Sequence, residues 1–121
     1  MTITYEFDTR PEAGGVYEVA EGIRWLRMPL PFSLGHINLW LLEGDDGWAV
    51  VDTGIHSDHS KEVWRETIAS LMVDKPIRHV VVTHLHPDHV GLAGWITERF
   101  GCELWMSREE FLMCRAMASD T

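Results

Sequence analysis

Little in this chain would send it to a membrane, to nucleic acid or to an oxidising compartment. Its 121 residues contain no apolar run approaching the roughly 20 needed to cross a bilayer. The start, "MTITYEFDTR", lacks a basic patch followed by an apolar stretch, so it does not read as a secretory signal. Only two cysteines occur, Cys102 and Cys114, and they form no CxxC pair. Free thiols packed as small hydrophobes in a cytoplasmic protein are the simple expectation. Positive charge is also scarce. Ten Lys and Arg stand against nineteen Asp and Glu, a net charge of −9 with His neutral. Phosphate backbones and anionic lipid surfaces would be repelled, so neither nucleic acid nor membrane is an expected partner. Repeats and low-complexity segments are missing.

What is there fits one small domain with a real core. Hydrophobic residues make up 45% of the chain, charged residues 24%, and six are tryptophans. Residues 1–15 read as a lead-in that ends in the turn-rich "RPEAGG". Residues 16–54 read as hairpins: Val16, Tyr17 and Val19, then Ile23, Trp25 and Leu26, with a turn at Glu21-Gly22, and "NLWLLEGDDGWAVVDTG" folded over Gly44-Asp45-Asp46-Gly47. Residues 55–121 alternate helix and strand. Trp64, Ile68, Leu71 and Met72 mark one face of a helix over 57–74, capped by Ser57 or Asp58. "IRHVVVTH" (77–84) reads as a buried, nearly continuous strand. Residues 89–100 read as a helix aligned on Leu92, Ile96 and Phe100 and closed by Gly101. Strand 102–106 and a helix over 107–119 follow, the latter opened by the capping box Ser107-x-x-Glu110. This order predicts an α/β (α+β) fold, a mixed sheet with helices on one face.

Chemistry concentrates in "VVVTHLHPDHVG". If the backbone stays extended through His86, His84 and His86 face one point while Leu85 turns inward. Pro87 stops the strand, and Asp88 and His89 fall at the start of the next helix, where a carboxylate is favoured. Four donors in six residues then gather at the end of a sheet. Imidazole and carboxylate suit zinc, iron or manganese, and two cations could share the cluster. A lone histidine at a strand end is usually just a satisfied polar group, but three with an interleaved aspartate are not that pattern. His56, His59 and His79 lack such company. His36 neighbours the loop "PLPFSLG".

"THLHPDHVG" resembles the HxHxDH signature of the metallo-β-lactamase superfamily, and the upstream hairpin resembles that family's strand pair ending in a DTG turn. The order of elements matches over residues 16 to about 118. The resemblance implies that His84 and His86 hold a first metal and Asp88 and His89 a second, with Asp88 also catalytic and the metal loop spanning 83–91. Asp52 would sit behind the ligands, fixing the loop or a histidine, or would only tie a tight turn. Gly54 would let the backbone turn beneath the site. Phe32, Leu34 and His36 belong either to a substrate-facing loop or to a Pro-set connection.

The family completes its site with donors from a second half resembling the first. Here no histidine follows His89, and the only later aspartate is Asp120. The expectation is therefore a single truncated domain, 1–121, equivalent to the N-terminal half of an αββα sandwich. Its bare sheet face would dock a second half-domain or dimerise. The implied activity is metal-dependent hydrolysis, two Zn2+ activating a hydroxide against an ester, thioester, lactone or amide carbonyl of a small-molecule substrate. Two other readings stay open: a mononuclear-iron oxidoreductase similar to persulfide dioxygenases, and a catalytically inactive half-domain serving as an assembly module.

Overall fold

The computed structural model describes residues 2–31 and 35–119. Six strands lie in sequence order in one sheet: β1 (Val16–Ala20), β2 (Ile23–Pro29), β3 (His36–Glu43), β4 (Trp48–Val51), β5 (Ile77–Val81) and β6 (Glu103–Trp105). The first four pair antiparallel, and β4, β5 and β6 pair parallel. Connection length explains the split. A short turn allows only an antiparallel return, and a parallel return needs a crossover. The crossovers are α1 (Asp58–Leu71) between β4 and β5, then α2 (Pro87–Val90) and α3 (Ala93–Phe100) between β5 and β6. A last helix, α4 (Arg108–Ser119), follows β6.

Helices cover one face. Leu26, Leu39, Leu41, Val50 and Val80 are fully buried there with Trp64 of α1 and with Leu92 and Ile96 beside or within α3. Ser57 caps α1, its Oγ accepting from the Ser60 amide at 3.1 Å. The buried stripe of α1 is Ser60, Val63, Trp64 and Thr67, whereas Ile68 and Leu71 are only half-buried. The expected face of Trp64, Ile68, Leu71 and Met72 does meet the core, with Trp64 and Met72 buried and Ile68 and Leu71 packed at its margin; the inward turn of Ser60 and Thr67 is what the sequence did not show. The Thr67 hydroxyl donates to the Val63 carbonyl at 2.8 Å, so small polar residues can turn inward without an unmet hydrogen bond. Outside, the cations of Lys61, Arg65 and Arg99 lie within 6 Å of the Trp95 ring, a link between α1 and α3.

Two further expectations change. β5 ends at Val81, three residues early, and its Arg78 and His79 are exposed. With helices on one side only, burial does not run on: Ile77 and Val80 are buried, Arg78 and His79 between them are exposed, and the pairing with β4 slips there. The helix expected over 89–100 is two pieces. The Leu92 amide donates to Thr53 Oγ1 at 3.0 Å instead of continuing the helical ladder. Gly91 sits at the break, where a Cβ would meet the Pro87 and Gly54 carbonyls and the His56 amide at 2.5–2.6 Å.

Among the described residues no helix covers the other face, where Trp40 and Trp105 stay exposed. One register row crosses all six strands on it: Tyr17, Trp25, Trp40, Val51, Val81 and Trp105. Tyr17 meets Trp25 edge-on at 6.2 Å and Trp25 stacks on Trp40 at 6.3 Å. Trp40 remains 36% exposed and Trp105 56%. A contiguous apolar row of this kind, four of its six members aromatic, is more apolar surface than an isolated domain normally leaves in water.

Candidate metal centre

The site is built where β4 and β5 end. Parallel strands bring their C-terminal ends to one edge, and loops there are free to carry chemistry. β4 runs into Asp52-Thr53-Gly54. Asp52 is the one non-glycine residue with positive φ (65°) among the described residues, a conformation Asp tolerates better than most. Its amide donates to the Val81 carbonyl at 2.7 Å. Gly54, at φ 98°, has no room for a side chain, since a Cβ would lie 3.0 Å from Met28 Cγ.

Asp52 is 5% exposed, and its two oxygens organise the histidine loop. Oδ1 accepts from the Thr83 amide at 2.8 Å, and Oδ2 accepts from the Thr83 hydroxyl at 2.8 Å and from His89 Nδ1 at 2.8 Å. A carboxylate only accepts, so His89 carries its proton on Nδ1 and turns Nε2 outward. The Thr83 hydroxyl spends its proton on Asp52. His84 Nδ1, 2.8 Å from that hydroxyl, must therefore donate to it, which leaves Nε2 of His84 free as well. One aspartate thus sets the tautomers of two imidazoles, one directly and one through a threonine.

Thr53 clamps the same loop from below. Its amide and hydroxyl both donate to the His89 carbonyl, at 2.8 and 2.7 Å, and its own carbonyl accepts from the Trp64 indole at 2.7 Å. The core and the loop are therefore tied through one buried residue.

The expected extended path through His86 is not observed. The strand has ended, and Thr83 and His84 form a bend as the Thr83 amide turns to Asp52. The imidazoles still gather. The ring centroids of His84 and His86 are 4.7 Å apart and those of His84 and His89 are 4.1 Å apart. Asp88 Oδ2 lies 3.6 Å from His89 Nε2, and both residues sit in the four-residue α2, with Pro87 at its start.

Other sequence candidates fall differently. His36 starts β3, where Nδ1 accepts from Arg27 Nη2 at 3.1 Å. Burial, then the charges of Arg27 and Arg10, lower its pKa, so it is a neutral acceptor there. Phe32 and Leu34 lie outside the described residues. His56 and His59 are exposed, and His79 lies near Trp105 and Glu103 on the bare face. Thr53 and Thr83 were not singled out from sequence. Their only signal is position, a hydroxyl inside Asp52-Thr53-Gly54 and another just before His84.

In kind, the donors fit a zinc-like cation, being imidazole and carboxylate. In number they fall short. Among the described residues no three His, Cys, Asp or Glu side chains close around a common point. Four side chains divided between two ions give two each, against the four of a tetrahedral site.

Fold and site together define a class: a one-sided α/β layer that presents imidazoles and a carboxylate at the ends of parallel strands. The chain belongs to the metallo-beta-lactamase superfamily, whose family model matches residues 33–116. A beta-lactamase domain protein from Burkholderia ambifaria is 48% identical, with a TM-score of 0.86 over 93% of this chain and 36% of that one. A probable metallo-hydrolase of Bacillus subtilis, YqjP, is 33% identical over 60% of this chain and 23% of its own length. A linear primary-alkylsulfatase of Pseudomonas is 39% identical over 48% of this chain and 11% of its own. The chain therefore spans a quarter or less of the curated relatives it matches, and about a third of that solved structure. No helix of the described residues is long and apolar enough to cross a membrane.

Proposed function

We propose that the protein is a metal-dependent hydrolase, with zinc as the expected cation, acting on an ester, thioester, lactone or amide carbonyl of a small molecule. The observation that carries this reading is the Asp52 carboxylate. Through His89 Nδ1 and Thr83 it occupies the Nδ1 atoms of His89 and His84, leaving Nε2 as the nitrogen each ring can offer a metal. His84 and His86 would hold one ion, and Asp88 and His89 the other. When bound, the metal supplies a Lewis acid that polarises the scissile carbonyl and acidifies a water.

The chain's own residues do the rest. Asp52 and Thr83 orient the imidazoles, a role that normally tunes affinity as well as geometry. Asp88 would be the catalytic carboxylate, able to take a proton on Oδ2 from an attacking water. Gly54 and Gly91 let the two loops approach closely, which holds the donors near one another.

The remaining donors and the cover for the bare face would come from one source, a second half-domain or a second copy of this chain. The aromatic row from Tyr17 to Trp105 supports that proposal, because burying it would stabilise the assembly.

Metal removal tests the reading. Hydrolysis of a panel of model esters, thioesters and lactones by the full protein should be lost on chelation and return on adding Zn2+. Undiminished turnover in protein verified as metal-free would overturn it.

A further inference from the structure

We propose that Glu110 is a positioning residue of the histidine loop, holding the amide between His84 and His86 from the distance of α4. The proposal rests on the metallo-hydrolase reading above. Ser107-x-x-Glu110 has the form of a reciprocal capping box, in which the serine accepts from the Glu110 amide and the glutamate returns to the serine amide. Only the first half forms: Glu110 N donates to Ser107 Oγ at 3.3 Å. The glutamate carboxylate goes elsewhere. Its Oε1 accepts from the Leu85 amide at 3.1 Å, across 25 residues of sequence.

Two features give this contact a purpose beyond capping. Leu85 lies beyond the end of β5, so its amide has no strand partner, and an ionised oxygen is a stronger acceptor than a neutral one. Apolar packing is sparse on α4, whose inward side carries Glu110 and, one turn on, Cys114, both half-buried. α4 buries no residue, and Phe111, Leu112, Met113 and Met117 are exposed, yet the acid beside them is half-buried. On that side the bond to the Leu85 amide is what fixes the direction of the Glu110 carboxylate. The Leu85 amide is flanked by the peptide units of His84 and His86, so fixing it fixes the spacing of their imidazoles.

The test uses the full natural protein, with Glu110→Ala, which removes the acceptor, and Glu110→Gln, which keeps an acceptor oxygen. Two readouts are taken: hydrogen exchange of the Leu85 amide in metal-free protein, and Zn2+ affinity by competition titration. Glu110→Ala should speed Leu85 exchange and weaken Zn2+ binding by about 10- to 100-fold, the range for partners behind metal ligands. Glu110→Gln should stay close to wild type in both. Unchanged Leu85 exchange in Glu110→Ala overturns the contact. Faster exchange with unaltered Zn2+ affinity overturns the positioning role and leaves a purely structural one. Should Glu110→Ala not fold, Glu110→Asp, one methylene too short to reach, carries the same expectation. If the wild-type protein itself binds no Zn2+, the hydrolase reading fails, and the positioning role with it. The exchange result still decides whether the Glu110 bond exists.

Discussion

Leu41 and Trp40 are neighbours on β3, both apolar, and their surroundings are opposite. Leu41 is completely buried beneath the helices, while Trp40 is 36% exposed on the face that has none. The contrast extends across the sheet. On one side the row Leu41, Val50, Val80 meets α1 and α3; on the other, the row from Tyr17 to Trp105 meets only the lead-in near Tyr17 and Trp25 and neighbours on the sheet, and Trp40 and Trp105 stay exposed. Both sides carry interior-type side chains, but only one side has an interior. Such an arrangement is the observation behind the proposed cover on the second face.

Substitutions can break or sharpen this comparison. The largest effect is expected from Leu41→Ala, which leaves a cavity in the finished core and should lower stability by about 2–5 kcal/mol in urea unfolding. A loss as small as that of a surface change would mean the core face is less closed than its burial indicates.

Next comes the edge where both faces meet the site. Asp52→Asn keeps an acceptor for Thr83 but sets an amide donor against the His89 N–H. Zn2+ affinity should fall about 10- to 100-fold, equivalent to about 1.4–2.7 kcal/mol, read by competition titration. Wild-type affinity in this variant would remove Asp52 from its orienting role.

Smaller still is Trp40→Ala. In this chain alone it should cost about 1 kcal/mol, chiefly the stacking on Trp25. In the assembled protein the same change should cost several-fold more, as for a buried aromatic. Equal losses in both settings would mean that nothing covers the bare face.

The smallest effect is electrostatic and far from the site. Hydrogen bonds from Lys75 and then Arg24 lower the pKa of Glu43. A depressed carboxyl stabilises the fold above its ordinary pKa, and the contribution fades as pH falls through the folded value. Glu43→Gln should therefore cost a little stability at neutral pH and none in acid, by thermal melts at the two pH values. A loss that persists in acid would point to packing instead.

Much of this was legible in the residues. Apolar runs, hairpin turns and period-3.6 patterns located the six strands, α1 and α4, because side-chain burial follows backbone geometry. Gly22 and Gly101 marked a turn and a helix end because their positive φ is a local, steric requirement. The errors arose where distant groups compete. The helix through residues 89–100 broke because Thr53, some 39 positions earlier, captures the Leu92 amide. The strand into the histidine loop stopped early because Asp52 captures the Thr83 amide. Neither partner is visible from within the segment it interrupts. The bonds of Thr53 to His89 and of Glu110 to Leu85 are hidden for the same reason.

The sequence by itself determined the residue types of the site, the family they belong to and the strands and helices that carry them, since these depend on composition and local periodicity. Only the tertiary structure decided which nitrogen of His84 and His89 is free and that Glu110 leaves its capping box for the histidine loop. Those are outcomes of competition among hydrogen-bond partners and packing surfaces far apart in the chain, and they exist only once the chain has brought them together.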